Sequence, residues 1–199
     1  VDSEVGIVQP IKEIANILKD YHNCFLHVDC TQAIGKIKMD LENVDLISFA
    51  PHKFYGLNGF GGLIKRKDIV LEPLINGGAS TTLYRSGTPV VGQICALEKA
   101  LEITFKEFEK RQQYVRNLNK KLRENLSKYK NVKINTVSEE NPFILNISVV
   151  GVKATKFKQK LEEYCICISI KSACTVTITP SRIVMAMTHD RKRAFASWR

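Results

Sequence analysis

The stretch VDLISFAPHKFYGLNGFGG, residues 44–62, carries the strongest fold signal in the sequence. Its apolar run from Val44 to Ala50 predicts a buried strand, and its second half is a loop rich in glycine. Lys53 follows the strand directly, next to His52. A lysine buried at such a strand end suits Schiff-base chemistry, and a plain surface lysine is the alternative.

A second apolar run, Cys24 to Val28, predicts another buried strand that ends at Asp29. The residues after Pro10 repeat apolar side chains at helical spacing, so a helix precedes this strand. Helix, strand, connection and strand predict a doubly wound, mostly parallel sheet, which binds ligands beyond the carboxyl ends of its strands. Asp29 at such an end could pair with a protonated ring nitrogen, as in pyridoxal-phosphate sites; a turn or helix cap is the alternative.

The composition is that of a folded domain, because 199 residues with 44% hydrophobic side chains can bury a core. This excludes a disordered chain and a small disulfide scaffold. The formal net charge of +10 divides into −2 for residues 1–105 and +12 for residues 106–199. A nucleic-acid-binding module is therefore an alternative, but no nucleic-acid motif is present and aromatic residues do not interleave with the basic ones. A solvated basic face is the simpler interpretation.

The six cysteines are scattered, which favours a reduced, cytoplasmic chain over a disulfide framework. Cys165 and Cys167 lie two apart in an apolar run and are expected in the core. A metal site formed by Cys165, Cys167 and Cys174 is an alternative, but the sequence contains no paired C-x-x-C motifs and no metal site is predicted. No apolar run approaches the ~18 residues that cross a bilayer, so no membrane partner is expected. The chain starts without methionine and is expected to be a piece of a longer protein.

The periodicity divides the chain into two expected domains. From about Val91 to Lys130 the apolar residues recur at helical spacing and predict one long helix, straight or bent. Beyond it, an α+β pattern is predicted. Its strands are Val132 to Ile134, Phe143 to Val149 and Tyr164 to Ile168, and its helices are Ala154 to Glu163 and one from about Pro180 to Met187.

Several spaced segments together resemble one enzyme family. They are His27 to Gln32, His52 to Gly56, Arg85 to Thr88, Ile144 to Ser148 and Ser172 to Thr175. In this order they resemble the cysteine desulfurases of the class V aminotransferases, which are pyridoxal-phosphate enzymes of fold type I. The resemblance implies the end of a large cofactor-binding α/β domain at 1–105, then a linking helix and a smaller, incomplete α+β domain at 106–199. It also implies that an amino-terminal part is missing and that this piece alone is poorly active.

The resemblance implies a role for each cofactor-binding residue. Lys53 would bind pyridoxal phosphate covalently and then move protons during the reaction. Asp29 would keep the ring nitrogen protonated, Gln32 would bind the ring hydroxyl, and His52 would bind the phosphate. Thr88 would reach the phosphate of the other subunit's cofactor, which implies a homodimer.

The resemblance also assigns the substrate chemistry. Cys174 would attack the sulfur of bound L-cysteine, take it as a persulfide and leave L-alanine, with an iron–sulfur scaffold or a tRNA-thiolation protein as the acceptor. Arg199 would bind the substrate carboxylate, with a tail arginine as the alternative. A selenocysteine lyase-like enzyme and a degenerate paralogue are further alternatives. The chain departs from the usual family pattern at Asp2-Ser3, at Ala50 and at Lys171.

Overall fold

The structure, a computed structural model, describes residues 1–78, 82–138, 140–170 and 179–199. Contacts between residues divide the chain into two compact units. The first unit is Pro10–Phe108, and the second unit combines Val1–Gln9 with Glu109–Arg199. The assignment of residues 1–105 and 106–199 to a cofactor domain and a small domain stays a prediction.

The first unit alternates helices with short strands. Its first helix starts directly after Pro10, whose fixed φ suits a helix start. The elements are α1 (Ile11–Leu18), β1 (His27–Asp29), β2 (Leu46–Phe49), a 3₁₀ turn (Pro51–Phe54), β3 (Gly62–Lys65) and α2 (Val91–Lys106). The two predicted strands, β1 and β2, are therefore present, each within a few residues of its expected place.

The sheet of the first unit is mixed. Strand β1 pairs with β2 in parallel, with Asp29 opposite Ser48, and β2 pairs with β3 in antiparallel register, with Phe49 opposite Gly62. The reversal has a simple cause. The connection from β2 to β3 contains only a 3₁₀ turn, whereas a parallel return usually needs an α-helix that crosses over the sheet. The α/β class is confirmed, whereas the described strands are not mostly parallel.

The expectation that β1 and β2 are buried strands is wrong for β1. His27 and Asp29 are exposed and Val28 is half-buried, while β2 buries only Phe49. In the described residues β1 has a paired strand on one side only, and parallel strands are fully buried only when helices cover both faces. Several buried side chains of this unit lie just beyond the strands instead, among them Cys30, Ala33, Ile34 and Phe54.

Gly62 packs against the Phe49 ring, and this contact leads to a stability prediction. A Cβ at this position would lie 2.2 Å from the nearest atom of the Phe49 ring. We expect Gly62→Ala to lower the free energy of unfolding by about 1–3 kcal/mol, because the added methyl group overpacks a buried ring. Urea denaturation of the purified protein measures this change.

Gly92 provides the matched control for Gly62. It lies inside α2, and a Cβ there would meet nothing within 4 Å. Gly92→Ala should raise the free energy of unfolding by about 0.5–1 kcal/mol, since alanine is the better helix former. Equal effects of the two substitutions would contradict the packing argument.

The second unit is built on a small antiparallel sheet. Strand β5 lies in the centre, with Ile147 paired to Ile134 of β4 and to Trp198 of β6. The elements are α3 (Phe108–Leu126), β4 (Val132–Ile134), β5 (Ile147–Val149), α4 (Ala154–Glu162), α5 (Arg182–Thr188), α6 (Arg191–Phe195) and β6 (Ser197–Trp198). The predicted long helix is two helices, because Glu107 leaves the helical conformation between α2 and α3.

The predicted strand from Tyr164 to Ile168 is wrong. After α4 the chain turns, and Cys165 has a left-handed φ of 58° that ends regular structure. Cys165 and Cys167 are exposed, so the expectation that they lie in the core is wrong as well. The apolar side chains of Ile166 and Ile168 do not form a core strand. They line a groove of about 700 Å³ within the second unit.

Candidate functional site

Asp29 and Lys53 lie at the same edge of the first unit's sheet. Asp29 is the last residue of β1, and its register partner in the parallel strand β2 is Ser48. Lys53 follows Ser48 by five residues, in the 3₁₀ turn directly beyond β2. Because β1 and β2 run parallel, their carboxyl ends meet at one edge, and Asp29 and Lys53 both lie there; that this edge binds a ligand stays a prediction.

The turn that carries Lys53 is held in place by Phe49 at the end of β2 and by Phe54, its own last residue. Phe49 and Phe54 are buried, and their ring centroids lie 6.0 Å apart. Thr104 of α2 donates from its hydroxyl to the Phe54 carbonyl oxygen over 3.3 Å. Between these fixed points, the Lys53 amide donates to the Ala50 carbonyl over 3.1 Å. The backbone at Lys53 is therefore fixed on both sides.

The exit from this turn is also constrained. Tyr55 has a left-handed φ of 72°, and the Gly56 amide donates to the Pro51 carbonyl over 2.9 Å. A Cβ at Gly56 would lie 2.7 Å from the Pro51 Cβ, so only glycine closes the turn without a shift. Gly56 belongs to the glycine-rich loop of the sequence. In the structure it closes the turn that carries Lys53.

The burial expected for Lys53 is not found. Lys53 and His52 are both exposed, because Pro51 and Phe54 occupy the buried positions of the same turn. Asp29 is exposed too, and its Oδ1 accepts a hydrogen bond from the Thr31 amide over 2.8 Å. An amine, an imidazole and a carboxylate are therefore accessible to a ligand on the first unit.

Gln32 and Thr88 complete the predicted cofactor set in the first unit. The Gln32 side-chain oxygen accepts from Lys36 Nζ over 2.9 Å, three residues beyond the end of β1. Thr88 is exposed and precedes α2 by three residues. Gln32 thus lies near the Asp29 end of the edge, and Thr88 lies on a separate connection.

Cys30 is a buried thiol next to the predicted site. It has 1% of its surface exposed, and its amide donates to the Ser48 carbonyl over 2.8 Å. Burial raises the pKa of the Cys30 thiol, and the neighbouring Asp29 carboxylate raises it further. A thiol that resists ionisation is a poor nucleophile, so Cys30 is a structural residue.

Arg199 lies in the second unit and contacts the amino-terminal residues. Its Nη1 donates to the Ser3 carbonyl oxygen. The Asp2 carboxylate accepts from the Glu4 and Val5 amides over 2.8 and 2.7 Å, and so it holds the turn that contains Ser3. The sequence analysis missed this use of Asp2; an aspartate before a short turn with glycine is the local signal that could have indicated it.

Cys174, the predicted nucleophile, lies outside the described residues, as does Lys171. Among the exposed cysteines that the structure describes are Cys24, Cys95, Cys165 and Cys167.

The chain belongs to the class-V aminotransferase family, whose sequence model matches residues 1–196. This family is pyridoxal-phosphate-dependent. The resemblance recognised in the sequence is thereby confirmed.

Among curated proteins the chain is similar to cysteine desulfurases. It is 35% identical over its whole length to the mitosomal cysteine desulfurase of Encephalitozoon cuniculi, of which it covers 47%. It is 35% identical to the mitochondrial cysteine desulfurase of Arabidopsis thaliana and 34% identical to the cysteine desulfurase IscS of Glaesserella parasuis, covering 45% and 50% of them. The chain spans about half the length of these relatives.

Solved structures give the same fold. A NifS-like protein superposes with a TM-score of 0.87 at 32% identity, over 98% of this chain and 52% of that one. A NifS-like protein from Rickettsia africae superposes with a TM-score of 0.86 at 26% identity, over 100% of this chain and 53% of that one.

The side chains at the sheet edge fit pyridoxal phosphate. The Lys53 amine can react with an aldehyde, and the Asp29 carboxylate can accept from a protonated pyridine nitrogen. Both are exposed on one edge, beside a turn whose backbone is closed by Gly56. This donor set matches the chemistry of the cofactor.

No helix in the described part of the chain is long and apolar enough to span a bilayer. Two of the similar proteins are a mitosomal and a mitochondrial cysteine desulfurase. The cytoplasmic location expected from the cysteines stays a prediction for this chain.

Proposed function

We propose that this chain is part of a cysteine desulfurase, which takes sulfur from L-cysteine, holds it as an enzyme persulfide and releases L-alanine. The observation that carries the proposal is the 34–35% identity to cysteine desulfurases over the full length of the chain. The placement of Asp29 and Lys53 at one sheet edge supports it independently of the alignment.

The three-stranded sheet of the first unit would then be part of the larger, mostly parallel sheet of a fold type I cofactor domain. Strand β1 supports this, because it has an unpaired edge within the described residues and Val28 is only half-buried. A further parallel strand and covering helices would bury it. The second unit would be most of the smaller α+β domain.

The first unit would hold the cofactor. Asp29 would accept a hydrogen bond from the pyridine nitrogen, Gln32 would bind the ring hydroxyl, and His52 would bind the phosphate. Bound pyridoxal phosphate supplies an electron sink for carbanion chemistry. Lys53 Nζ would hold the cofactor covalently and, when substrate releases it, take the proton from the substrate α-carbon.

Thr88 would bind the phosphate of a second subunit's cofactor, which makes a homodimer the proposed functional form. The exposure of Thr88 on the connection before α2 supports this role, because its hydroxyl is accessible from outside the chain.

In the second unit, Arg199 would bind the substrate carboxylate. Its planar guanidinium suits bidentate carboxylate binding, and its contact with Ser3 fixes it against the amino-terminal turn. The Cys174 thiolate would take the sulfur atom. An iron–sulfur scaffold or a tRNA-thiolation protein would then accept it.

The experiment is a product assay on the protein expressed from its complete reading frame and loaded with pyridoxal phosphate. With L-cysteine and a reductant, we expect sulfide and L-alanine to form in equal amounts. L-alanine formation from L-selenocysteine but not from L-cysteine would favour the selenocysteine lyase-like alternative. No product from either substrate would contradict the proposed function.

A further inference from the structure

We propose that Asp2 is a positioning residue for Arg199: by capping the amino-terminal turn, it sets how the guanidinium meets the carboxylate of an amino-acid substrate. The inference rests on the proposed function, which assigns Arg199 to that carboxylate. Asp2 would not touch the substrate itself. It would act on substrate binding through the turn that holds Ser3.

The contact between Arg199 and Ser3 leaves the arginine able to bind an anion. Arg199 Nη1 donates to the Ser3 carbonyl oxygen. A guanidinium carries five N–H donors in one plane, so a hydrogen bond to a carbonyl fixes the plane and leaves donors for a carboxylate. Fixing the plane before substrate arrives reduces the entropy that binding must lose.

The direction of the Ser3 carbonyl depends on Asp2. Asp2 Oδ1 accepts from the amides of Glu4 and Val5, and the Asp2 amide donates to the Ile7 carbonyl over 2.9 Å. The Gly6 amide closes the turn by donating to the Asp2 carbonyl over 3.2 Å. Ser3 lies inside this closed turn, so its carbonyl direction follows from the cap.

The turn is anchored in the core of the second unit. Val5 is fully buried, in one cluster with Val184 and Ala194. The buried Asn146 side chain donates to the Glu4 carbonyl over 3.1 Å. These contacts fix the position of the turn in the second unit. The hydrogen bonds to Asp2 then determine the backbone conformation within the turn.

Arg199 is anchored in the same unit. Its amide and carbonyl form a reciprocal pair of hydrogen bonds with Ser169, both of 2.8 Å. The main chains on both sides of the contact are thus fixed. With both main chains fixed, the direction of the Ser3 carbonyl still depends on one side chain, that of Asp2.

The decisive substitution is Asp2→Ala in the cofactor-loaded protein expressed from its complete reading frame. We expect the KM for L-cysteine to rise about tenfold while kcat changes less than about twofold, because a weakened charge-assisted contact costs binding and leaves the chemical step intact. Asp2→Asn keeps the acceptor oxygen and should restore the KM to within about twofold of the wild type.

Two further variants separate geometry from charge and from folding. Asp2→Glu keeps the charge but moves the acceptor by one methylene, so the KM should rise as for Asp2→Ala; it also replaces Asp2→Ala should that variant not fold. Asp40→Ala is the matched control, since Asp40 Oδ1 accepts from the Glu42 amide over 3.1 Å in a similar turn of the first unit. Its KM should stay unchanged.

A double-mutant cycle tests whether Asp2 acts through Arg199. Asp2→Ala combined with Arg199→Ala should have the KM of Arg199→Ala alone, because the positioned group is already absent. As a readout without turnover, the binding of L-alanine to the cofactor-loaded protein is measured by isothermal titration calorimetry. The dissociation constant should rise in Asp2→Ala in parallel with the KM.

Additive effects in the cycle, or a fall in kcat at unchanged KM, would overturn the inference and leave the proposed function intact. The same holds if Asp2→Asn fails to restore the KM in a folded protein. A wild-type protein without L-cysteine turnover would instead overturn the proposed function, and the inference with it.

Discussion

Lys53→Ala is expected to abolish turnover of L-cysteine, with kcat/KM reduced by about 1000-fold or more, because one amine would both hold the cofactor and move the proton. The covalent link to pyridoxal phosphate should disappear with it. Borohydride treatment of the wild-type protein followed by peptide mass spectrometry should place the reduced cofactor on Lys53, and the variant should carry none.

The structure makes Lys53→Ala a sharp test, since the substitution removes a side chain that does not hold the fold. The side chain is exposed, whereas the neighbours that hold the turn, Phe49 and Phe54, are untouched. We expect the free energy of unfolding without cofactor to change by less than about 0.5 kcal/mol. Lys67→Ala is the matched control, because Lys67 is an exposed lysine just beyond β3 and should retain full activity. If borohydride treatment still attached the cofactor to the Lys53→Ala protein, the assignment of Lys53 as the cofactor-binding lysine would be contradicted.

The sequence was sufficient to predict the sheet edge with Asp29 and Lys53. The apolar runs mark β1 and β2, and a connection of this length between them permits the parallel pairing that brings their carboxyl ends together. The 3₁₀ turn and the exposure of Lys53 could not be predicted in the same way. They depend on the packing of Phe49 against Phe54 and on the hydrogen bond that Thr104 of α2 donates to the Phe54 carbonyl from 50 positions away in the sequence.

In the second unit, too, features set by the local sequence were predictable, and features that depend on distant residues were not. Strand β4 spans Val132–Ile134 as predicted, because its apolar pattern is local. The stretch from Tyr164 to Ile168 has equal apolar character but no strand. Within the described residues it has no neighbouring strand, and the pair of hydrogen bonds with Arg199 is made by the next residue, Ser169. The contact of Arg199 with Ser3 joins residues almost 200 positions apart, and no periodicity in the sequence carries such information.

Cys174→Ser should abolish sulfide and L-alanine formation, again by about 1000-fold or more, because a hydroxyl cannot accept the sulfur atom as a persulfide. Unlike Lys53→Ala, this variant should retain the reducible cofactor on Lys53, which separates sulfur transfer from cofactor binding. After reaction with L-cysteine without reductant, mass spectrometry should find the additional sulfur on Cys174 in the wild-type protein.

The other cysteines make this test specific to Cys174. Cys167→Ser is the matched control, since Cys167 is exposed and lies seven positions before Cys174 in the sequence, and it should retain full activity. Cys30 is not an alternative sulfur carrier, because its thiol is buried and its pKa is raised by that burial. Activity that survives in Cys174→Ser and is lost in Cys167→Ser would move the nucleophile to the exposed stretch after α4, and with it the site of sulfur transfer.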